Sequence, residues 1–317
     1  MITKILPPAL QANKDFLSNK ARTEVRNLVG AKPTAFLLQA LGAWVVIIIM
    51  ITLAIHINQI WISILAIIII ATRLNILGLL VHEQAHYLGF RGRYGDLIVN
   101  LLAAFPIGIT IAEYTQIHLS HHQYFFTEKD PDHIRKSGKD WSFPMSKVRI
   151  TKILLSDLLG LSFIKLLRGM HLKEPPTIKR HHPAPEWLRP TFYMSIAILL
   201  TYTESWQIFL LYWALPFFTV FPLIVRLGAI TEHVYNLPEA SVIDSSPLIL
   251  LRWWEKVLLP NLNFTFHPYH HFYPGIAFCN LPKVHNIFLR EKLVNKENIY
   301  HGYLAYLRYL QSTQKVS

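Results

Sequence analysis

The apolar stretch from Ala35 to Val81 constrains this chain more than any other feature, because so few of its positions can meet water. It divides at His56-Ile57-Asn58-Gln59, and a lone Arg73 interrupts its second half. A bilayer core takes about 20 apolar residues as helix, so spans of about 35–55 and 58–81 are expected to form a helical hairpin. Arg73 then snorkels towards headgroups, and His82, nine residues on, stands roughly 13 Å further along at about 1.5 Å per residue. A second hairpin is expected from spans of about 191–203 and 206–226, turning at Thr203-Glu204-Ser205. Between the hairpins, 97–112 is apolar but short and broken by Pro106 and Gly108, which fits a re-entrant or interfacial segment better than a full crossing.

Charge agrees with a bilayer. The formal net charge is +12 and 52% of residues are hydrophobic, with a mean hydropathy of +0.30. Lys and Arg flank the apolar blocks, as charges facing anionic headgroups would, so nucleic acid is not the expected partner. Neither hairpin turn carries Lys or Arg, and the basic segments fall on one side of a four-span layout. That side is the cytoplasm by the positive-inside rule. The expected fold is therefore an all-α integral membrane protein. It has four transmembrane helices as two hairpins, plus a cytosolic helical cap with interfacial helices at 153–167 and 247–259. Residues 1–34 form a cytoplasmic N-terminal segment without the pattern of a cleaved leader, 35–290 the membrane domain and 291–317 a cytoplasmic tail. The location is a bacterial inner membrane or its equivalent, with both termini cytoplasmic.

Histidines follow the spans. His82-Glu83-Gln84-Ala85-His86, His118-Leu119-Ser120-His121-His122 and His267-Pro268-Tyr269-His270-His271 form three clusters, and His233 follows the fourth span. Spacing of i to i+4 puts two imidazoles on one helical face, within reach of one ion. In His-x-x-His-His the adjacent pair points apart, so one ion can hardly use all three. The set His82, His86, His118, His121, His122, His233, His267, His270 and His271 takes nine of the sixteen histidines, and it fits two ions. Imidazole suits Fe, Zn, Cu and Ni alike, so spacing leaves the element open. The single cysteine, Cys279, excludes Cys-ligated centres. Asp130, Asp132, Glu83, Glu113 and Glu232 are candidates to accept the outer N–H of ligand imidazoles, which fixes tautomer and ring orientation. A rival reading, a membrane zinc protease with Glu83 as general base, rests on His82-Glu83-x-x-His86 alone.

HEQAH, HLSHH with its following TEKDPD, RLGAITEH and HPYHHFYPGIAFCNLPKVH resemble the histidine boxes of the membrane fatty acid desaturases, over about residues 35–290. The resemblance implies a non-haem di-iron centre on the nine histidines, O2 as co-substrate, and dehydrogenation of an acyl chain carried as acyl-lipid, acyl-CoA or acyl-carrier protein. It also implies a separate electron donor such as ferredoxin or cytochrome b5, since no haem domain is fused to the chain. Lipid or carotenoid hydroxylases and ketolases share these boxes and form the alternative reading. Some acyl-CoA members carry Asn four residues before the lone histidine. This chain has Ala229 there, so acyl-CoA chemistry is not carried over.

Overall fold

A computed structural model describes residues 7–136, 138–162, 178, 180–237 and 239–311. The chain is mostly helical and divides into two compact units. One comprises Lys32–Gln116 and Ser156–Val225, the other Met1–Ala31, Ile117–Leu155 and Arg226–Ser317.

The first unit is built on two long helices, α1 (Pro33–Ile57) and α2 (Ile60–Ala85). At 25 and 26 residues they are about 38 Å long, enough for a core of about 30 Å. Asn58 ends α1 in the left-handed region at φ 49, which Asn tolerates better than most side chains, and α2 begins two residues later. The buried stripe of α1 is Phe36, Ala40, Ala43, Ile47, Met50 and Ala54. Its three- and four-residue steps and small side chains suit close helix packing within a membrane. Leu38, Leu41, Val45, Ile48 and Leu53 face outward and are also apolar. A helix apolar all round belongs in lipid rather than at a water-facing surface.

Among the described residues, three helices are long and apolar enough to cross a bilayer: α1, α2 and Trp206–Glu232. A fourth candidate is bent. Gly95–Ile107 turns through 86° into α3 (Ile111–Gln123), and Gly108, at φ 81, occupies the corner. The stretch before the corner contains a π-type turn at Asn100–Ala104 and a 3-10 turn at Phe105–Ile107, so its carbonyls lose regular helical partners. Side chains replace them. Trp44 Nε1 donates to the Leu102 carbonyl (2.9 Å), Tyr193 Oη to that of Phe105 (2.9 Å) and Trp213 Nε1 to that of Pro106 (3.2 Å). Irregular backbone within an apolar body persists only when its polar groups are satisfied in this way.

The stretch expected to span at 191–203 is a helix, α4 (Leu188–Tyr202), of only 15 residues. That is about 22 Å and falls short of a bilayer core. Thr203-Glu204-Ser205 ends it, with Glu204 at φ 53, before α5 (Trp206–Glu232) begins.

In the second unit, two buried clusters organise the chain. One joins Leu17, Ala21 and Val25 to Tyr269, Ile276, Leu281, Val284 and Phe288. Backbone bonds from Gly30 to Gly275 (2.9 Å) and from Asn295 to Ala9 (2.7 Å) bind the N-terminal stretch to the same core. The other cluster gathers Phe126, Phe143, Met145, Tyr235 and Tyr306.

Of the two stretches expected as interfacial helices, the described part of the first is largely helical and the second is helical only in part. Helix Lys147–Leu158 buries Ile150, at i, and lays Ile153 and Leu154, at i+3 and i+4, on the Tyr235 cluster. Val148, Leu155 and Leu158 of the same helix stay exposed; residues 163–167 of that expectation lie outside those described. At 247–259 only Trp253–Leu258 is helical. Ile249–Leu250 forms strand β1 instead, paired in parallel with β2 (Tyr300–His301). β-branched Ile249, fully buried, prefers such a pairing.

Candidate metal centre

Helix α3 carries the second histidine cluster, and its start is fixed locally. Thr110 Oγ1 accepts the Glu113 N–H (3.0 Å) and Glu113 Oε2 accepts the Thr110 N–H (2.9 Å), a capping box. Glu113 also pairs with Arg189 at 2.9 Å. The residue considered as a histidine partner is therefore occupied in starting the helix. One turn of helix, α6 (His267–Phe272), with Pro268 in its first turn, carries the third cluster.

Within the second unit these helices divide their histidines. The i, i+4 pair His118 and His122 converges, with Nε2 atoms 3.1 Å apart, and His270 Nε2 lies 3.1 Å from His122 Nε2. His267 and His271 likewise converge at 3.1 Å, and His233 Nε2 lies 3.0 Å from each of them. His121 Nε2 joins this second group, 3.3 Å from His233. The four residues His121, His233, His267 and His271 each offer a ligand atom within 4.8 Å of all the others. Each His-x-x-His-His cluster thus sends its adjacent histidines to different groups, as a helical step of about 100° per residue requires. The groups adjoin, with the His122 and His271 rings stacked at 4.3 Å.

The outer nitrogens show what the inner ones are for. Asp130, fully buried, accepts the His121 Nδ1–H at 2.9 Å. That carboxylate is itself oriented by the backbone N–H groups of Phe126, Asp132 and His133. Ser246 Oγ lies 2.8 Å from His233 Nδ1. With the proton of His121 held outward on Nδ1, its Nε2 presents a lone pair inward. Burial first, and then neighbouring imidazoles, push His233 and His271 well below the ordinary histidine pKa. His233 and His271 are thus held as neutral imidazoles, and the Nε2 atoms of the group converge at 3.0–3.3 Å. Metal–nitrogen bonds of about 2.0–2.1 Å place nitrogens of one shell roughly 2.9–3.4 Å apart. The donor set fits a bound metal ion.

In the first unit, His82 lies in the last turn of α2 and His86 caps it, with ring centroids 5.6 Å apart. Glu83 is buried beside them. Arg180 lies against this helix end, and burial followed by the Arg180 charge lowers the His86 pKa to about 3.

Asp132 serves elsewhere: it pairs with Arg135 and, at 3.1 Å, with Lys136. Burial presses its carboxyl upward, but Lys136 and Arg135 outweigh this and hold it well below the usual carboxylate range. Glu232 is half-buried at the end of α5, while it is Ser246 that meets the outer nitrogen of His233. Sequence reasoning missed Ser246, which reads as loop composition in Asp244-Ser245-Ser246, and Arg180, which reads as surface charge in Lys179-Arg180-His181-His182. Neither offers a local signal, since Ser246 reaches His233 only across 13 positions and Arg180 reaches Asp96 across 84.

The fatty acid desaturase family matches the chain over residues 58–303, which include all nine histidines. A comparison with individual curated proteins returns no match.

Proposed function

Because the chain belongs to the fatty acid desaturase family, and is thereby a membrane oxidoreductase of the acyl-desaturase type, we propose that it introduces a C=C bond into a fatty acyl chain. It does so with two iron ions and O2. The observation that carries this reading is the group His121, His233, His267 and His271, with Nε2 atoms converging and Asp130 and Ser246 on the outer nitrogens of His121 and His233. These four hold one ion. His118, His122 and His270 hold the second, completed by His82 and His86; that last assignment rests on the spacing of the first cluster and on the family. Neutral nitrogen ligands would leave the charge of two cations largely uncompensated.

Iron supplies, with O2, the oxidising power to break an unactivated C–H bond. The chain supplies the rest. Asp130 keeps the His121 proton on Nδ1, so that Nε2 stays available. Burial of His121, His233, His267 and His270 limits access of bulk water. Which methylene is held near the ions sets the position of the double bond. Two hydrogens leave the acyl chain, a separate donor such as ferredoxin or cytochrome b5 supplies two electrons and the solvent two protons, so that O2 leaves as two waters. A substrate drawn from the lipid phase accords with the long apolar helices. The proposed topology is two hairpins with both termini cytoplasmic and 97–112 re-entrant, the short α4 crossing where the bilayer thins around it, which puts every histidine cluster on one side.

Expression in a lipid-producing host tests the reaction. Desaturation yields acyl products lacking two hydrogens in mass spectra. Products carrying an added oxygen instead would assign the hydroxylase or ketolase reading and overturn this one.

A further inference from the structure

The end of α2, which carries His82 and His86, is gripped by a buried network that the reaction itself does not require. The last carbonyls of a helix have no intrahelical donors. Here Arg180 adds donors, from Nη2 to the Gln84 carbonyl (2.7 Å), which also accepts the Tyr87 N–H (2.9 Å), and from Nη1 to that of Ala85 (2.8 Å), the two residues just before His86. Its other face is bidentate on Asp96, Nε to Oδ2 and Nη2 to Oδ1, each 2.7 Å. Both side chains are almost fully buried, at 2% and 4% exposure. The Gln84 side chain closes the ring: its Nε2 donates to Asp96 Oδ1 (2.8 Å) and to the Phe90 carbonyl (3.0 Å), and its Oε1 accepts the Phe90 N–H (3.0 Å). The guanidinium also lies 3.6 Å from the centre of the Tyr87 ring. There is no slack around Gln84, since a Cβ on Gly89 would stand 2.9 Å from its Oε1 and one on Gly95 3.2 Å from its Nε2.

A buried ion pair is a poor source of net stability, because desolvation offsets most of the attraction. What this one provides is geometry. The planar fork of Arg binds carboxylate and carbonyls along fixed directions; its two carbonyl partners lie on the turn between the two histidines, and Asp96 is tied to the same turn through the Gln84 side chain.

We infer that Arg180, locked by Asp96 and Gln84, is a positioning residue that holds the His82–His86 pair in ligating geometry. It thereby sets the affinity of the chain for the ion those histidines share. This rests on the two-iron reading above, and the test separates the two. Purified wild-type, Arg180→Gln and Arg180→Lys proteins are titrated with ferrous iron against a competing chelator, with helicity and thermal unfolding followed in parallel. The wild type is expected to hold two irons. Arg180→Gln should remain helical and keep one iron at wild-type affinity, while the affinity for the other falls about 10–100-fold, the usual effect of removing outer support from a ligand. Arg180→Lys, which keeps the charge but not the fork, should fall between. A merely structural role would lower the melting temperature and leave two irons bound at wild-type affinity in the folded fraction, which would overturn the inference. If Arg180→Gln does not fold, Arg180→Lys decides by the same criterion: weakened binding of one iron supports the inference, and two irons at wild-type affinity overturn it. A wild-type chain that holds fewer than two irons overturns the two-iron reading itself, whatever the variants do.

Discussion

The chemistry is decided by which nitrogen of each imidazole carries the proton, and Asp130 shows how a single carboxylate fixes that. It takes the His121 Nδ1–H on a carboxylate already held by three backbone donors, so it cannot turn away. Asp130→Asn should therefore bind iron about 10–100-fold more weakly, a change read by chelator competition; unchanged affinity would remove Asp130 from this role. His285 tests electrostatics away from the metal group. It lies 2.9 Å from the Tyr269 hydroxyl, and burial lowers its pKa to about 4, against about 6.5 in an unfolded chain. Between these values the unfolded state binds a proton that the folded state refuses, so stability is fully present above pH ~6.5 and lost as pH falls towards ~4. Melting temperature should decline across that window and decline less in His285→Gln, whereas parallel pH curves for the two proteins would contradict the assignment. At this scale the histidines were legible because i, i+3 and i+4 spacing is local. Asp130 was legible from its place just after the second cluster. Asp132 looked equivalent, and only folding showed that Lys136 and Arg135 claim it.

Elements are fixed by a few positions where the chain must turn. Gly302, at φ 95, directs the chain from β2 into the last helix, and a Cβ there would stand 2.6 Å from the Glu255 carboxylate. That carboxylate accepts the backbone N–H groups of Tyr303 (2.9 Å) and Arg252 (2.8 Å) and cannot retreat without losing both. Gly302→Ala should destabilise the protein by about 1–3 kcal/mol, measured by denaturant unfolding, and leave iron binding in the folded fraction intact. The long helices α1 and α2 were legible because their composition admits few other environments. The bend at Gly108 was only partly so. Pro106 and Gly108 announce a break, but its three supporting donors, Trp44, Tyr193 and Trp213, come from three other helices. Likewise, Pro247 to Leu259 reads as an aromatic and basic helix, yet pairing with residues 300–301, some 50 positions away, draws Ile249–Leu250 into a strand.

For the whole molecule, the proposal requires all the histidine clusters to reach one side of the bilayer, and the segment at 97–112 decides that. The sequence holds one cysteine, Cys279, so a background lacking it permits mapping with cysteines introduced singly at 91–95 and 123–129. Both stretches should react with an impermeant reagent from the same face, and labelling from opposite faces would separate the first two clusters and break the shared site. The central claim is a two-iron oxidative centre built on nine histidines, and the metal content of the purified protein tests it most directly. The account predicts two irons per chain, whereas zinc in their place, or a single metal ion per chain, would contradict it.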